Sequence, residues 1–196
     1  MEINIKVKIT YYNMGIFRST FQDFFSNCRL FHTSLSPKFN LDQVFKAGEG
    51  AGKSGSFFFF SHDKKFIIKT MSTEELSLFQ KLHPNLAEHH KKNPMSLIAK
   101  IFGVFSISSS RTSDVHIILM ENALQIESQE NLKYIFDLKG SLVSRAVKGK
   151  IKSTTTLKDL NFLKAKKVNP NLVRFDPEVK EKLRSIMKKD VEFLRK

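Results

Sequence analysis

Residues 47–71 read AGEGAGKSGSFFFFSHDKKFIIKTM. The glycines and the Gly-Lys-Ser triplet at 52–54 suggest a phosphate-binding loop, and two loops of that kind require opposite structures downstream. A strict P-loop has the pattern G-x-x-x-x-G-K-[ST] and feeds a helix whose first amides face the phosphates. Here the first glycine of that pattern is replaced by Ala47. Phe57, Phe58, Phe59 and Phe60 follow, and four consecutive aromatic residues favour a strand over a helix start. A polar HDKK turn and the β-rich FIIKTM run come next, so the loop opens a strand-turn-strand unit. Gly50, Gly52 and Gly55 fit the other pattern, G-x-G-x-x-G. In that arrangement a hairpin covers a nucleotide, and backbone amides approach the phosphates without side-chain interference.

The second strand embeds one lysine, Lys69, in its apolar run. A lysine so placed ordinarily snorkels to solvent. At hairpin distance from a glycine loop it stands instead where kinases carry their phosphate-pairing lysine. That lysine needs a carboxylate from the next helix. STEELSLFQKL opens one, with Ser72 as cap and Glu75 three residues later completing a capping box. Glu74 and Glu75 are both available for the ion pair. Glu75 has a competing task at its own cap, which one carboxylate does not easily combine with pairing, so the two roles stand level. Leu76, Phe79 and Leu82 mark the expected buried side.

Working outward, Ile3, Ile5, Val7 and Ile9 alternate with polar residues, the period of a half-buried strand. Phe17, Phe21, Phe24 and Phe25 recur at helical spacing and read as a helix face packed into a core. Residues 35–40 read as a connector. Residues 97–107 and 115–120 form an expected antiparallel pair, separated by polar SSSRTSD. KYIFDLKGS is a further strand entering a loop. The chain ends in a helix capped by Asp176, with Pro177 in the first position and an apolar stripe of Val179, Leu183, Ile186, Val191 and Leu194.

The formal charge is +14, and from Asp137 onward 17 basic residues face 7 acidic ones, so +10 of the excess lies there. Such a charge favours a polyanionic partner, nucleic acid or an anionic membrane. Basic residues interleaved with aromatics in a nucleic-acid reader pattern are missing, so nucleic acid is disfavoured. Cys28 is the only cysteine, which excludes an internal disulfide and a cysteine-based zinc site. No apolar run approaches the roughly 20 residues of a membrane span. A reduced, intracellular, non-spanning protein is expected.

At DLKGSLVSR, residues 137–145, the pattern becomes specific. It resembles the signature of the phosphatidylinositol phosphate kinase family, in its phosphatidylinositol-4-phosphate 5-kinase-like form. GKSGSFFFFSHDKKFIIKT, NPMSLIAKIFGVFSI, VHIILMEN, TTTLKDLNFL and KKDVEFLRK are similar to further segments of that family, in the same order. The resemblance implies a partial catalytic domain over residues 48–196, preceded by an N-terminal strand, helix and connector over 1–47. Its implied fold is α+β: a protein-kinase-like N-lobe of antiparallel sheet and helices, plus the start of a C-lobe. It implies transfer of the ATP γ-phosphoryl group to the inositol ring of a phosphoinositide in an anionic membrane, with Mg²⁺ as the second cofactor. Peripheral attachment to the cytoplasmic face of membranes follows, and a homodimer or a nuclear pool would be compatible with it.

Carried over by motif, Gly50, Gly52, Lys53, Ser54, Gly55 and Ser56 cover the nucleotide phosphates. Lys69 pairs with them and Glu75 falls at the family's helix glutamate. Met120, Glu121 and Asn122 border the adenine. Asp137 orients or deprotonates the attacking hydroxyl, and Lys139 lies near the transferred phosphoryl group. Lys148, Lys150, Lys152, Lys164, Lys166 and Lys167 are candidates for headgroup contact. No metal ligand is identified. In complete members DVEFL continues into Met-Asp-Tyr-Ser-Leu-Leu, and a later Ile-Ile-Asp holds Mg²⁺. The expectation is therefore a piece of a longer kinase, inactive alone; the alternative is a non-catalytic module that binds nucleotide or anionic lipid.

Overall fold

The computed structural model describes residues 6–22, 26, 28–41, 56–124, 132–152 and 155–195. Residues 1–125 with 186–196 make one unit, and residues 126–185 make another. The architecture is mixed α+β, with a five-stranded antiparallel sheet and six helices among the described residues.

The first unit is built on that sheet. Its strands are β1 (Val7–Tyr12), β2 (Phe58–Phe60), β3 (Phe66–Met71), β4 (Ile101–Ser109) and β5 (Thr112–Glu121), in the order β1-β4-β5-β3-β2. The hairpin of the FFFF and FIIKTM runs is β2 and β3, with Phe58 opposite Lys69 and Phe60 opposite Ile67. Lys64 turns it with φ 58°. β4 and β5 pair as expected, but both extend into the polar segment and leave only Ser110 and Arg111 as the turn. Ile118 and Leu119 are neighbours on β5 and therefore point to opposite faces, where each joins its own cluster. Ile118 packs with Phe17, Leu76, Phe79, Leu86 and Val104. Leu119 packs with Phe66 and Phe102, flanked by Phe21, Leu30, Phe31 and Leu35.

Helices α1 (Met14–Thr20), α2 (Cys28–Ser34), α3 (Pro37–Asn40) and α4 (Thr73–Lys92) complete this unit with the end of the last helix. Phe17 from α1 is fully buried, as its spacing predicts. Phe24 and Phe25 lie outside the described residues. The connector expected at 35–40 contains α3, a single turn begun by Pro37, whose fixed φ suits a first helical position. On α4 the buried stripe differs from expectation. Leu82 is 41% exposed, and Leu76, Phe79, His83, Leu86 and His90 form the inward face instead. That spacing alternates three and four residues, as a helix face requires; two of its members are histidines, which the apolar reading passed over.

The second unit contains β6 (Ile135–Asp137) and β7 (Thr156–Lys158), paired in parallel, followed by α5 (Asp159–Val168) and the start of α6 (Pro177–Leu194). The apolar stripe read for α6 is only partly buried. Leu183 and Ile186 are half-buried, Val179, Val191 and Leu194 are exposed, and the fully buried position is Asp190. None of the described helices is long and apolar enough to cross a membrane.

Candidate active-site residues

Lys69 lies on β3, which has β5 on one side and β2 on the other. Its ammonium donates to Glu75 Oε1 at 3.1 Å. The second oxygen, Oε2, accepts the Ser72 amide at 2.9 Å, while Glu75 N donates to Ser72 Oγ at 3.1 Å. Capping and pairing therefore coexist, one carboxylate oxygen for each, which corrects the competition expected from sequence. The Glu75 carboxyl is held below the ordinary glutamate range, chiefly by the Ser72 amide and further by Lys69. The cap Ser72 follows the last residue of β3 directly and Glu75 lies three residues further on, so strand and helix fix the pair before any ligand arrives.

The β2–β3 turn beside it is tied at two points. Asp63 accepts Ser34 Oγ at 2.6 Å, Ser61 Oγ at 2.7 Å and Lys65 N at 3.2 Å. Burial works against its charge, but these bonds keep the carboxyl below its usual range. On the other side Asn122, buried at the end of β5, donates Nδ2 to Lys64 O at 2.7 Å and its amide to Lys65 O at 2.9 Å. Its Oδ1 accepts Leu124 N at 3.1 Å. Glu121 donates its amide to Lys100 O at 2.9 Å, and its carboxylate lies 3.3 Å from Lys100 Nζ. Met120 stands opposite Ile67 and Ile101 and packs against the core. Thus Asn122 is an internal tie between the end of β5 and the hairpin. Ser56 is buried; Gly50, Gly52, Lys53, Ser54 and Gly55 lie outside the described residues.

In the second unit Asp137 ends β6. Its carboxylate is 3.2 Å from Arg145 Nη2 and 3.7 Å from Lys139 Nζ, and it remains 42% exposed. The loop from 137 to 145 hangs on a second carboxylate, that of Asp159 at the start of α5. Asp159 Oδ1 accepts the Lys139 and Gly140 amides at 3.0 and 2.9 Å, and Oδ2 accepts Arg145 Nε at 2.7 Å. Arg145 also donates Nη2 to the Asp137 carbonyl. Gly140 takes φ 67°, a left-handed conformation that favours glycine. The guanidinium lowers the Asp159 pKa to about 2, helped by the two loop amides; Asp159 in turn raises that of Arg145. Asn161 adds a third tie, accepting Val147 N at 2.8 Å and donating to Val147 O at 3.1 Å.

Arg145 and Asp159 were not among the residues picked from sequence, since no local pattern links positions fourteen apart. One signal was present. Arg145 is the only arginine between residues 137 and 167, amid eight lysines, and a planar fork suits a fixed internal carboxylate better than an ammonium does. Asp137 faces two cations, and no group of three or more His, Cys, Asp or Glu side chains that could hold a metal occurs among the described residues. These residues do not make a magnesium site.

The model of the phosphatidylinositol-4-phosphate 5-kinase family matches residues 38–196. The chain belongs to that family. It is 34% identical over 151 residues to a phosphatidylinositol 4-phosphate 5-kinase of Plasmodium falciparum, covering 74% of this chain and 8% of that protein. With one from Schizosaccharomyces pombe it shares 29% identity over 186 residues, 93% of this chain and 24% of the relative. An Arabidopsis thaliana phosphatidylinositol 4-phosphate 5-kinase is 39% identical over 114 residues, 57% of this chain and 16% of its own length. The chain thus spans less than a quarter of each of these three relatives. Within the match fall the hairpin with Lys69, the Glu75 helix and the Asp137 loop with its Arg145–Asp159 support.

Proposed function

We propose that this chain supplies the nucleotide-binding sheet and the hydroxyl-activating loop of a phosphoinositide kinase. The observation that carries the reading is the Lys69–Glu75 pair, held at 3.1 Å by a capped helix directly after the hairpin. In this reading the five-stranded unit acts as a kinase N-lobe, and Lys69 presents its charge to the ATP phosphates with Glu75 fixing its direction. ATP supplies the phosphoryl group. The glycine loop covers the phosphates, and the Met120–Asn122 segment borders the adenine. The Asn122 amide and side chain serve the hairpin turn, so its part is to set the position of that border.

Asp137 receives the proton of the inositol hydroxyl as its oxygen bonds to the γ-phosphorus and the bond to the bridging oxygen of ADP breaks. Lys139 stands beside that carboxylate to meet the developing charge. Phosphoryl transfer depends mainly on positioning and charge neutralisation, and the Arg145–Asp159 support provides the positioning. The family implies Mg²⁺ as well as ATP; the described residues assign no step to the ion. The substrate is a phosphatidylinositol phosphate in a membrane.

The test is ADP release on vesicles containing phosphatidylinositol 4-phosphate, using the complete enzyme that carries these residues. Lys69→Met and Asp137→Asn are each expected to lower turnover by about a hundredfold or more with unchanged circular dichroism. Undiminished turnover in either variant removes that residue from the mechanism. Nucleotide binding without turnover in the wild type would instead support a binding module.

A further inference from the structure

The loop leaving Asp137 carries an arrangement that phosphoryl transfer does not use. Leu142 and Val143 are 58% and 82% exposed, and Leu138 is exposed beside them. They sit at the tip of a tight turn. Ser144 adopts φ 57°, a left-handed conformation uncommon for a residue with a side chain, and Val143 N donates to Ser141 Oγ at 3.4 Å. The base of the turn is fixed, because Asp159 holds the amides of Lys139 and Gly140 on one side and the buried Arg145 on the other. The apolar tip is therefore presented by a braced loop. Water gives such a tip nothing; only removal from water rewards it.

Charge narrows the choice of partner. Residues 138–152 contain five basic side chains and no acidic one. Arg145 is engaged internally, while Lys139, Lys148, Lys150 and Lys152 are exposed. Ile151, exposed between two of these lysines, repeats the pairing of apolar and cationic groups. Exposed apolar side chains flanked by lysines match a bilayer containing anionic lipid, whose acyl boundary takes the former and whose phosphates take the latter.

We propose that residues 138–152 form a membrane-insertion element. Leu142 and Val143 enter the acyl boundary of an anionic bilayer, and Lys148, Lys150 and Lys152 contact the lipid phosphates. Its purpose rests on the lipid-kinase reading: insertion of the tip holds Asp137, in the same loop, at the level where an inositol headgroup lies. Its evidence does not rest there, and the two can fail separately.

The chain has no tryptophan, so Val143→Trp places one indole at the tip. The probe is a phosphatidylcholine vesicle with a minority of phosphatidylserine and no phosphoinositide, which leaves substrate recognition out of the measurement. Indole emission should shift to the blue on addition of vesicles and be quenched by brominated acyl chains. Combined Leu142→Ser and Val143→Ser should keep the melting profile and lower vesicle affinity roughly tenfold. Residual binding should weaken with salt, as lysine contacts do. An indole that stays in water on bound vesicles overturns the proposal, as does a serine pair that binds like the wild type or a chain that ignores anionic vesicles. Loss of ADP release with insertion intact would sink the kinase reading alone.

Discussion

The two candidate carboxylates, Glu75 and Asp137, are held by opposite means. Glu75 is set by backbone: a strand that runs directly into a capped helix leaves its two oxygens facing Lys69 and the Ser72 amide. Asp137 ends a three-residue strand and is set by charge, through an arginine and a second aspartate that are each about nine-tenths buried. A half-exposed pair on a rigid frame gives little stability and is free to act on a ligand. A buried pair that also holds loop amides is structural, because removing either partner strands the other away from water. The comparison separates a pair left open to a ligand from a pair that holds a loop.

The sharpest way to break it is Asp159→Ala set against Lys69→Met. The first leaves Arg145 buried without its main partner and frees the Lys139 and Gly140 amides. Exchange at those two amides should rise by about tenfold or more, and unfolding of the second unit should come first in a thermal scan. Lys69→Met should move the stability of the first unit by only about 0.5 kcal/mol. Similar losses from the two variants would erase the distinction between an open pair and a loop-holding pair.

Next in size is Asp190, the first unit's counterpart to Asp159. Its carboxylate, buried near the end of α6, accepts His89 Nε2 at 2.7 Å, Ser96 Oγ at 2.7 Å and Leu97 N at 2.8 Å. Burial opposes its charge, and these bonds still hold its pKa down. It joins the last helix to the far end of α4, whose first turn carries Glu75. Asp190→Ala should cost about 3 kcal/mol in urea unfolding, since three donors lose a charged acceptor. A loss below about 1 kcal/mol would show that solvent or a neighbour replaces it.

These cases explain what the sequence made legible. β3 and the Ser72–Glu75 capping box were readable because each is written in consecutive residues with a fixed period or spacing. The α4 stripe was half readable: Leu76 and Phe79 stood out, whereas His83 and His90 complete the same face with residues that look polar. Their cost in burial is visible only once Phe17 and Phe79 are seen packed around the His83 ring, at centroid distances of 4.0 and 5.2 Å. Arg145 and Asp159 were not readable as a pair at all, because their meeting depends on the parallel pairing of β6 with β7.

His83 sets the pH behaviour of the first unit. Burial lowers its pKa from 6.5 to about 4, and its Nδ1 has no hydrogen-bond partner among the described residues. His90 is shifted the same way, first by burial and then by neighbouring His89. Between pH 6.5 and 4 the unfolded chain binds a proton at His83 that the folded chain refuses. Stability is therefore full above that window and falls as the pH drops through it, by roughly 2–3 kcal/mol for this one group. His83→Leu should flatten the slope between pH 7 and pH 5 in urea unfolding. An unchanged slope would assign the effect to His90 or to the carboxylates.

The smallest effect tests the division of labour within Glu75. Ser72→Ala removes the hydroxyl that accepts the Glu75 amide, but keeps the Ser72 amide that donates to Oε2. The cap loss should cost about 1 kcal/mol. The Glu75 carboxyl should nonetheless titrate below the ordinary glutamate range, because the Ser72 amide is the larger cause of its depression and Lys69 the smaller. Carbon-13 NMR of the side chain across the acid range measures this directly. A Glu75 that returns to its ordinary value in Ser72→Ala would mean that the hydroxyl, by fixing the first turn, holds both carboxylate oxygens in place. Cap and ion pair would then be one device, and the backbone alone would no longer account for how the Glu75 carboxylate is held.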